Sequence, residues 1–545
     1  MDLGITTTPF RKPALNILIA DAVAPTALEV LRAEPGWNVT ASNPNEFHAH
    51  LPEAHALLIR SGARVTAEML QRAPKLRVIG RAGVGIDNVD VDAATAAGVL
   101  VMNTPGGNAI SVAEHTLALM LASARSIPAA SDSTKSGKWE KKKFLGTELS
   151  GKTLGIIGLG NIGLLVARRA RPFGMRLLAH DPFISADLAR DRGVEMVSLD
   201  ELYAKSDYVS LHLSLNEKTR NLFNQETFAK LKNGVRIINC ARGELIDAEA
   251  LQGAMTSGKV AAAALDVFPQ EPPPPDSPLF SEANVIATPH IGGSTEEAQE
   301  TVGIRIAEQV RDYLRSGVVL NAVNMPSINA EQYERIRPDL DLAERLGSFA
   351  AQIASGRPGH ITLIYSGNLG KTSSGLVRNA ALAGILKHHL SQPPNLINAN
   401  RIAEKRGLSI SESRHGRSYG SDSLTIVVQT DEGRHTAEGA VFADGSPRLI
   451  RVDGIYVETR LIGHMIFTKN IDVPGVIGRM GTLLGENQIN IADFSLGREE
   501  NHRSADQRAI AVAVVRIDEP LPTTVLQKLL RLEAVRYAQT IELPE

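Results

Sequence analysis

Short runs dominated by Val, Ile, Leu and Ala recur along the first half of the chain, separated by stretches long enough for a helix or a loop. They fall at Asn16 to Ala20, Trp37 to Ala41, Ala56 to Arg60, Arg77 to Gly80 and Val99 to Asn103. Strands buried on both faces read in this way, so the spacing predicts a parallel sheet wound with helices. A helical segment from Asn108 to about Ser126 follows, apolar over much of its surface as expected of a helix buried between domains. A second series, Thr153 to Ile157, Met175 to His180, Tyr208 to Leu213, Val235 to Asn239, Val260 to Asp266 and Val285 to Thr288, predicts a second wound α/β sheet with more strands. Ser294 to Ser316 then reads as a long amphipathic helix, started by the capping box Ser294-Thr-Glu-Glu297 and long enough to return the chain to the first unit. Beyond Asn321-Ala-Val-Asn-Met-Pro326 the pattern changes. Arg337-Pro338 and Gln392-Pro-Pro394 mark breaks within a region of mixed strands and helices. From Gly463 the order is strand, helix, strand, strand, helix, strand, which is ferredoxin-like.

Composition narrows this picture. The 545 residues suggest three or four folding units at ~150 residues each. With 43% hydrophobic and 22% charged residues the chain is an ordinary globular protein, not a disordered or collagen-like one. The 58 lysines and arginines nearly balance 60 aspartates and glutamates, so no global field recruits nucleic acid or an acidic membrane, and anions must be met by placed residues. A single cysteine, Cys240, excludes internal disulfides and cysteine-built zinc sites. The start MDLGITTTPFRK has no apolar signal core and no run approaches a membrane span, so a cytoplasmic protein is expected.

Candidate chemistry sits at the strand ends. Gly158-Leu-Gly160-Asn-Ile-Gly163 lies between a predicted strand and a helical run from Leu164 to Arg171, the context in which this spacing serves a dinucleotide pyrophosphate. Asp181 follows Gly163 by 18 positions (181 − 163), near the spacing at which an acidic residue binds ribose hydroxyls and disfavours NADP, so NAD is the expected cofactor. His212 and Ser214, Cys240-Ala241-Arg242, Asp266 with Glu271, and His290 follow four later strands. Ligands bind at the carboxyl ends of strands in such sheets, so these residues would gather at one crevice. A histidine oriented by a glutamate is an acid/base pair, and an arginine grips a carboxylate with two parallel hydrogen bonds. With a nicotinamide as hydride acceptor, the set suits oxidation of a 2-hydroxy acid, His290 taking the hydroxyl proton. No metal is expected. Cys240 has no histidine in its motif and is not read as a nucleophile.

These motifs, with Asn239-Cys-Ala-Arg-Gly-Glu244, Asp266-Val-Phe-Pro-Gln-Glu-Pro-Pro273 and Thr288-Pro-His-Ile-Gly-Gly-Ser294, resemble the signatures of the D-isomer-specific 2-hydroxyacid dehydrogenases over about Asn16 to Ser316. Arg60-Ser-Gly62, Gly80 to Asn88 and Asn103-Thr-Pro-Gly-Gly-Asn108 are similar to the long branch that oxidises 3-phospho-D-glycerate to 3-phosphooxypyruvate and opens L-serine synthesis. The resemblance implies catalysis by Arg242, Glu271 and His290. It implies substrate contacts at Arg60, Ser61, Gly83, Val84, Gly85 and Asn108. NAD contacts would come from Gly158, Gly160, Asn161, Ile162, Gly163, Asp181, His212, Ser214, Cys240, Ala241, Arg242, Asp266, His290, Gly292 and Gly293. The basic run Lys138-Trp-Glu-Lys-Lys-Lys-Phe144 falls where relatives present cations to a neighbouring subunit's substrate, although a solvated charge run is the simpler reading.

The fold expected is two doubly wound parallel-sheet (Rossmann/flavodoxin-like) α/β domains, a mixed α+β intervening domain and a ferredoxin-like unit resembling an ACT domain. The bounds are 1–107 with 294–320 for substrate, 108–293 for NAD, 321–462 for the intervening domain and 463–545 for the ACT unit. By the same resemblance Asn470, Asp472 and Asn490 would hold L-serine, and the chain would form a homodimer or homotetramer. Arg448, Arg451 and Arg460 offer either an anion site or, more simply, a solvated face. Two other functions compete: reduction of glyoxylate or hydroxypyruvate by the same chemistry, and an NAD-sensing corepressor. The appended amino-acid module argues against the first, and the lack of a nuclear-localisation run or disordered interaction tail argues against the second.

Overall fold

The computed structural model describes residues 14–369, 371, 373–388, 390, 394–416, 422–499 and 509–545. The N-terminal segment MDLGITTTPFRK and residues Gln392 and Pro393 of one expected break lie outside them.

Strands Leu15–Ile19, Trp37–Ala41, Ala56–Ile59, Val78–Arg81 and Leu100–Met102 (β1–β5) pair in parallel in the order 2-1-3-4-5. Ala56–Ile59 is buried at every position, which explains its unbroken apolar run. Helix Ala109–Arg125 (α1) leads into the second sheet, and its Ala113, Leu117 and Met120 share a core with Leu154 and Ile156. That sheet comprises Thr153–Ile157, Arg176–His180, Glu195–Met196, Tyr208–Leu211, Val235–Asn239, Val260–Leu265 and Val285–Ala287 (β6–β12), with Asn161–Ala170 as α2. All pairs are parallel in the order 12-11-10-9-6-7-8, so the order reverses at β6, beside the glycine loop. That order is the doubly wound dinucleotide-binding arrangement.

Helix Glu296–Ser316 (α3) returns to the first sheet, burying Val302, Ile306, Ala307 and Val310 among Leu58, Val78 and Leu100. Burial of each valine and of the isoleucine contributes roughly 1.5–3 kcal/mol. Its cap differs from the sequence expectation. Ser294 donates its amide back to Ile291 O at 2.9 Å and so belongs to the preceding turn, while Thr295 Oγ1 accepts from Ala298 N at 3.2 Å and is the N-cap. The expected break at Arg337-Pro338 is also corrected, because helix Ala330–Ile353 (α4) runs straight through it. A mid-helix proline costs about 3 kcal/mol. Here a capping box between Asn329 and Gln332 and a fully buried face of Leu342, Leu346 and Phe349 offset that cost.

Strands Pro358–Ser366, Ser409–His415, Ser423–Thr430, Arg434–Val441, Pro447–Val452 and Ile455–Arg460 (β13–β18) form a mixed sheet in the order 14-13-15-16-17-18, with Ser374–Lys387 (α5) packed beside α4. The last sheet, His464–Ile471, Ile491–Arg498, Ile510–Ile517 and Val535–Glu542 (β19–β22), is antiparallel in the order 20-21-19-22, with helices Val476–Glu486 (α6) and Thr523–Leu530 (α7). Its order of elements is the ferredoxin-like one expected. One face packs on α6 and α7, and the other contributes Met465, Phe467, Val512 and Val514 to the core around α4. No helix among the described residues is long and apolar enough to cross a membrane.

Candidate active site

The carboxyl ends of both parallel sheets open on one cleft of about 630 Å³. It is lined by Arg60 and Ser61 after β3, Gly83, Val84 and Gly85 after β4, Asn108 at the start of α1, and His212, Ser214, Cys240, Ala241, Arg242, Asp266, Glu271, His290, Gly292 and Gly293 from the second sheet's loops, with Ile162 of α2. Gly158, Gly160, Asn161, Gly163 and Asp181 are not part of this lining. They form the turn and strand end beside it.

His290 Nδ1 lies 2.7 Å from Glu271 Oε2, and Glu271 Oε1 accepts from Phe268 N at 3.1 Å. The carboxylate fixes the ring through Nδ1. Its hydrogen bond raises the His290 pKa above 6.5, against the opposing effect of burial. Burial pushes the Glu271 carboxyl up, but the donors from His290 and Phe268 outweigh it and hold the group below its ordinary value. His290 sits at φ 54°, in the left-handed region, a strained conformation of the kind that clusters at functional sites.

Asp266 organises the floor of the cleft. Buried at 1% exposure, it accepts from Thr288 Oγ1 at 2.6 Å, Ile291 N at 2.9 Å and Gly292 N at 2.7 Å, and His115 Nε2 lies 3.2 Å from the same carboxylate. Burial works against its charge, but these donors together keep it ionised. They also tie the loop carrying His290 to β11. Desolvation pushes the Cys240 thiol up to about 12, so it is protonated at neutral pH and no nucleophile. The same cause pushes His212 down to about 4 and keeps its ring neutral, with Nε2 2.9 Å from Ser210 Oγ.

The cationic side of the cleft is richer than the sequence suggested. Arg242 gives Nη1 to Ala241 O at 2.7 Å and Nη2 to Asp87 at 3.2 Å, and Gly85 lies so close that a Cβ there would stand 2.4 Å from Nη2. Arg81, the last residue of β4, was not singled out from the sequence. Its Nε is buried without a partner among the described residues, and burial followed by the charge of Arg242 lowers its pKa. Gly83, at φ 152°, is pressed on the same guanidinium. The loop carrying Arg60 is held by buried Asp21, which accepts from Arg60 N at 2.6 Å and Ala63 N at 3.0 Å. Asn108 leaves Oδ1 buried and, among the described residues, unpartnered. Arg81 was findable by the same strand-end rule that selected Arg242. Asp21, Asp87 and His115 act through contacts between distant segments and carry no local signal.

The glycine turn fits a dinucleotide. Gly158 takes φ 93°, a Cβ on Gly163 would strike Gly158 O at 2.1 Å, and Gly160 faces open space at the head of α2. An added side chain would fill the space that a pyrophosphate needs. Asp181 fastens this turn, its Oδ2 accepting from Leu159 N and its Oδ1 from Phe183 N, each at 2.8 Å.

Family comparisons agree with this geometry. Residues 117–292 match the model for D-isomer specific 2-hydroxyacid dehydrogenase, NAD binding domain. Residues 335–453 match that for D-3-phosphoglycerate dehydrogenase intervening domain, and 464–534 the ACT domain. The chain is 40% identical to D-3-phosphoglycerate dehydrogenase of Synechocystis sp., covering 100% of this chain and 99% of that one. It is also 40% identical to that of Methanocaldococcus jannaschii, over 97% and 100% respectively. The chain belongs to the D-3-phosphoglycerate dehydrogenase family. It is an NAD-dependent oxidoreductase. Among solved structures it is similar to D-lactate dehydrogenase from Aquifex aeolicus complexed with NAD and lactic acid, at 29% identity and TM-score 0.51, covering 57% of this chain and 100% of that one.

In this D-3-phosphoglycerate dehydrogenase family member, Asn470 of β19 is buried with Oδ1 unpartnered among the described residues, Asp472 lies 3.4 Å from Arg498 Nε, and Asn490 donates to Asp518 at 2.6 Å. The intervening-domain arginines are already neutralised. Arg448 meets Glu458 at 2.9 Å and Asp444 at 3.2 Å, Arg460 meets Asp444 at 3.1 Å, and Arg451 meets Glu438 at 3.4 Å. They form a paired, partly exposed face.

Proposed function

We propose that the cleft oxidises 3-phospho-D-glycerate to 3-phosphooxypyruvate, the opening step of L-serine synthesis. The observation that carries this reading is the 2.7 Å His290–Glu271 pair in the same cleft as Arg60, Arg81 and Arg242. Arg242 grips the substrate carboxylate while His290 Nε2 takes the hydroxyl proton, and Glu271 stabilises the resulting imidazolium. Bound NAD, held by the Gly158–Gly163 turn, Asp181 and the Asp266-braced loop, supplies the hydride acceptor. Arg60 and Arg81 meet the phosphate. Initial rates with 3-phosphoglycerate, glyoxylate and hydroxypyruvate, each with NAD(H) and NADP(H), test this; a preference for either 2-oxo acid over the 3-phosphoglycerate couple would overturn it.

We assign 1–107 with 294–320 to the substrate domain, 108–293 to the NAD domain, 321–462 to the intervening domain and 463–545 to the ACT unit. A second copy packs on the NAD domain. Ile127, Trp139 and Leu145 support this, at 53%, 86% and 92% exposure around the Lys141–Phe144 turn, a quantity of apolar surface that argues for a partner. Asn470, Asp472 and Asn490 bind L-serine as feedback inhibitor in a cytoplasmic enzyme. Titrating L-serine against activity, with Asp472→Ala for comparison, checks this; equal insensitivity of both proteins rejects it.

A further inference from the structure

A second cavity, of about 540 Å³, opens where the first sheet and α3 meet the intervening domain. Arg77 and Tyr313 line it from the catalytic side, Tyr333, Arg337 and Leu340 from α4, and Ile397 from the segment after α5. Leu340 and Ile397 are buried and make an apolar wall. The Arg77 guanidinium lies 6.0 Å from the centre of the Tyr313 ring. Neither Arg77 nor Arg337 has a carboxylate partner among the described residues, and Arg315, also on the wall, is satisfied by Glu34 at 3.1 Å. Glu334 is the one acidic residue of the lining among the described residues, so that lining keeps a positive balance. Its volume falls in the range of small-molecule sites, which favour domain junctions.

Its walls are continuous with the active site. Arg77 immediately precedes β4, and β4 ends at Arg81 in the catalytic cleft. Gln299 and Val302 of α3 line that cleft, while Tyr313 of the same helix lines this cavity. The two elements are locked together at Gly80, where a Cβ would come within 2.8 Å of both Ile306 and Val310. On the other side, α4 is fastened to the C-terminal unit, where Arg345 donates to Pro544 O at 2.6 Å and Gln352 to Glu542 O at 3.0 Å, and Arg345 also donates to Leu461 O, just before that unit, at 3.0 Å.

We propose that this cavity is a regulatory site for an amphipathic organic anion, its apolar or aromatic body against Leu340, Ile397 and the tyrosines and its carboxylate or phosphate held by Arg77 and Arg337. Occupancy bears on β4 and α3 at one end and α4 at the other, so it alters how the catalytic cleft holds its substrate. The test is calorimetric titration of the full-length enzyme with 2-naphthoate, in the abortive complex with NADH and 3-phosphoglycerate so that the catalytic cleft is filled. Neutral 2-naphthol and inorganic phosphate serve as probes with body alone and charge alone. The expected result is one 2-naphthoate per chain, bound at least about tenfold more tightly than either control, with affinity lowered at least about fivefold in Arg77→Gln and in Arg337→Gln. Both arginines are exposed, and unchanged melting temperatures would confirm that the variants fold. Saturating 2-naphthoate also changes the KM for 3-phosphoglycerate at least about twofold in the wild type and less in the variants. No binding, equal binding of all three probes, or undiminished affinity in both folded variants would overturn the site; binding that leaves KM and kcat unchanged would overturn its regulatory role.

Discussion

Arginines cluster in two parts of this molecule and are treated in opposite ways. In the intervening sheet Arg448, Arg451 and Arg460 end on Glu438, Asp444 and Glu458, and Ser446 with Arg448 holds Asp444 well below the usual carboxylate range. In the catalytic cleft Arg60, Arg81 and Arg242 converge, and among the described residues only exposed Asp87 is paired to one of them and Arg81 Nε has no acceptor. A buried donor without an acceptor is expensive. A cluster of such cations persists where an anionic ligand completes it, so the contrast separates a binding surface from a solvated one although the residue types are the same.

The sharpest way to break that contrast is at the proton-transfer pair. His290→Asn should lower kcat by about a thousandfold, because the base is lost. Asn tolerates the left-handed φ 54°, so the melting temperature should hold; a large drop in both would mean the histidine serves the fold instead. Next in size, Glu271→Gln should lower kcat roughly ten- to a hundredfold. It should also move the acidic limb of kcat/KM for oxidation to lower pH. The sign follows from the base form being the active one: the carboxylate raises the His290 pKa, so the wild type needs a higher pH to deprotonate it. A limb that stays in place would separate Glu271 from the histidine. Arg81→Gln should reduce kcat/KM at least about tenfold, chiefly through KM, as loss of an anion contact. Smallest of all, Arg460→Gln should change kcat/KM by less than about twofold and stability by under about 1 kcal/mol, since its pair is half exposed. An effect as large as that of Arg81→Gln would erase the distinction.

The catalytic half was legible for a physical reason. Strands such as Ala56–Ile59 and Tyr208–Leu211 are buried throughout and leave continuous apolar runs, and the parallel topology then delivers every strand-end residue to one crevice. The intervening sheet was not readable strand by strand. Its edge strand Ser409–His415 is half exposed and polar, and its principal helix passes through Pro338, the local sign of a break. At the site, Arg242, Glu271 and His290 were visible in short motifs. Asp21 holding the Arg60 loop and His115 beside Asp266 depend on contacts across 39 and 151 positions (60 − 21 and 266 − 115), which no local pattern encodes. The start of α3 shows a different, local limit: Ser294 and Thr295 are both good caps, and the backbone turn that ties Ser294 N to Ile291 O decides between them.

The central claim, that the cleft's incompletely paired arginines select a doubly anionic hydroxy acid, is tested most directly by comparing kcat/KM for 3-phosphoglycerate and D-glycerate with NAD at fixed ionic strength. The phosphate contributes only if the cleft's cations receive it. A preference for 3-phosphoglycerate of about a hundredfold or more is predicted, most of it lost in Arg81→Gln; equal values for the two substrates would contradict the account.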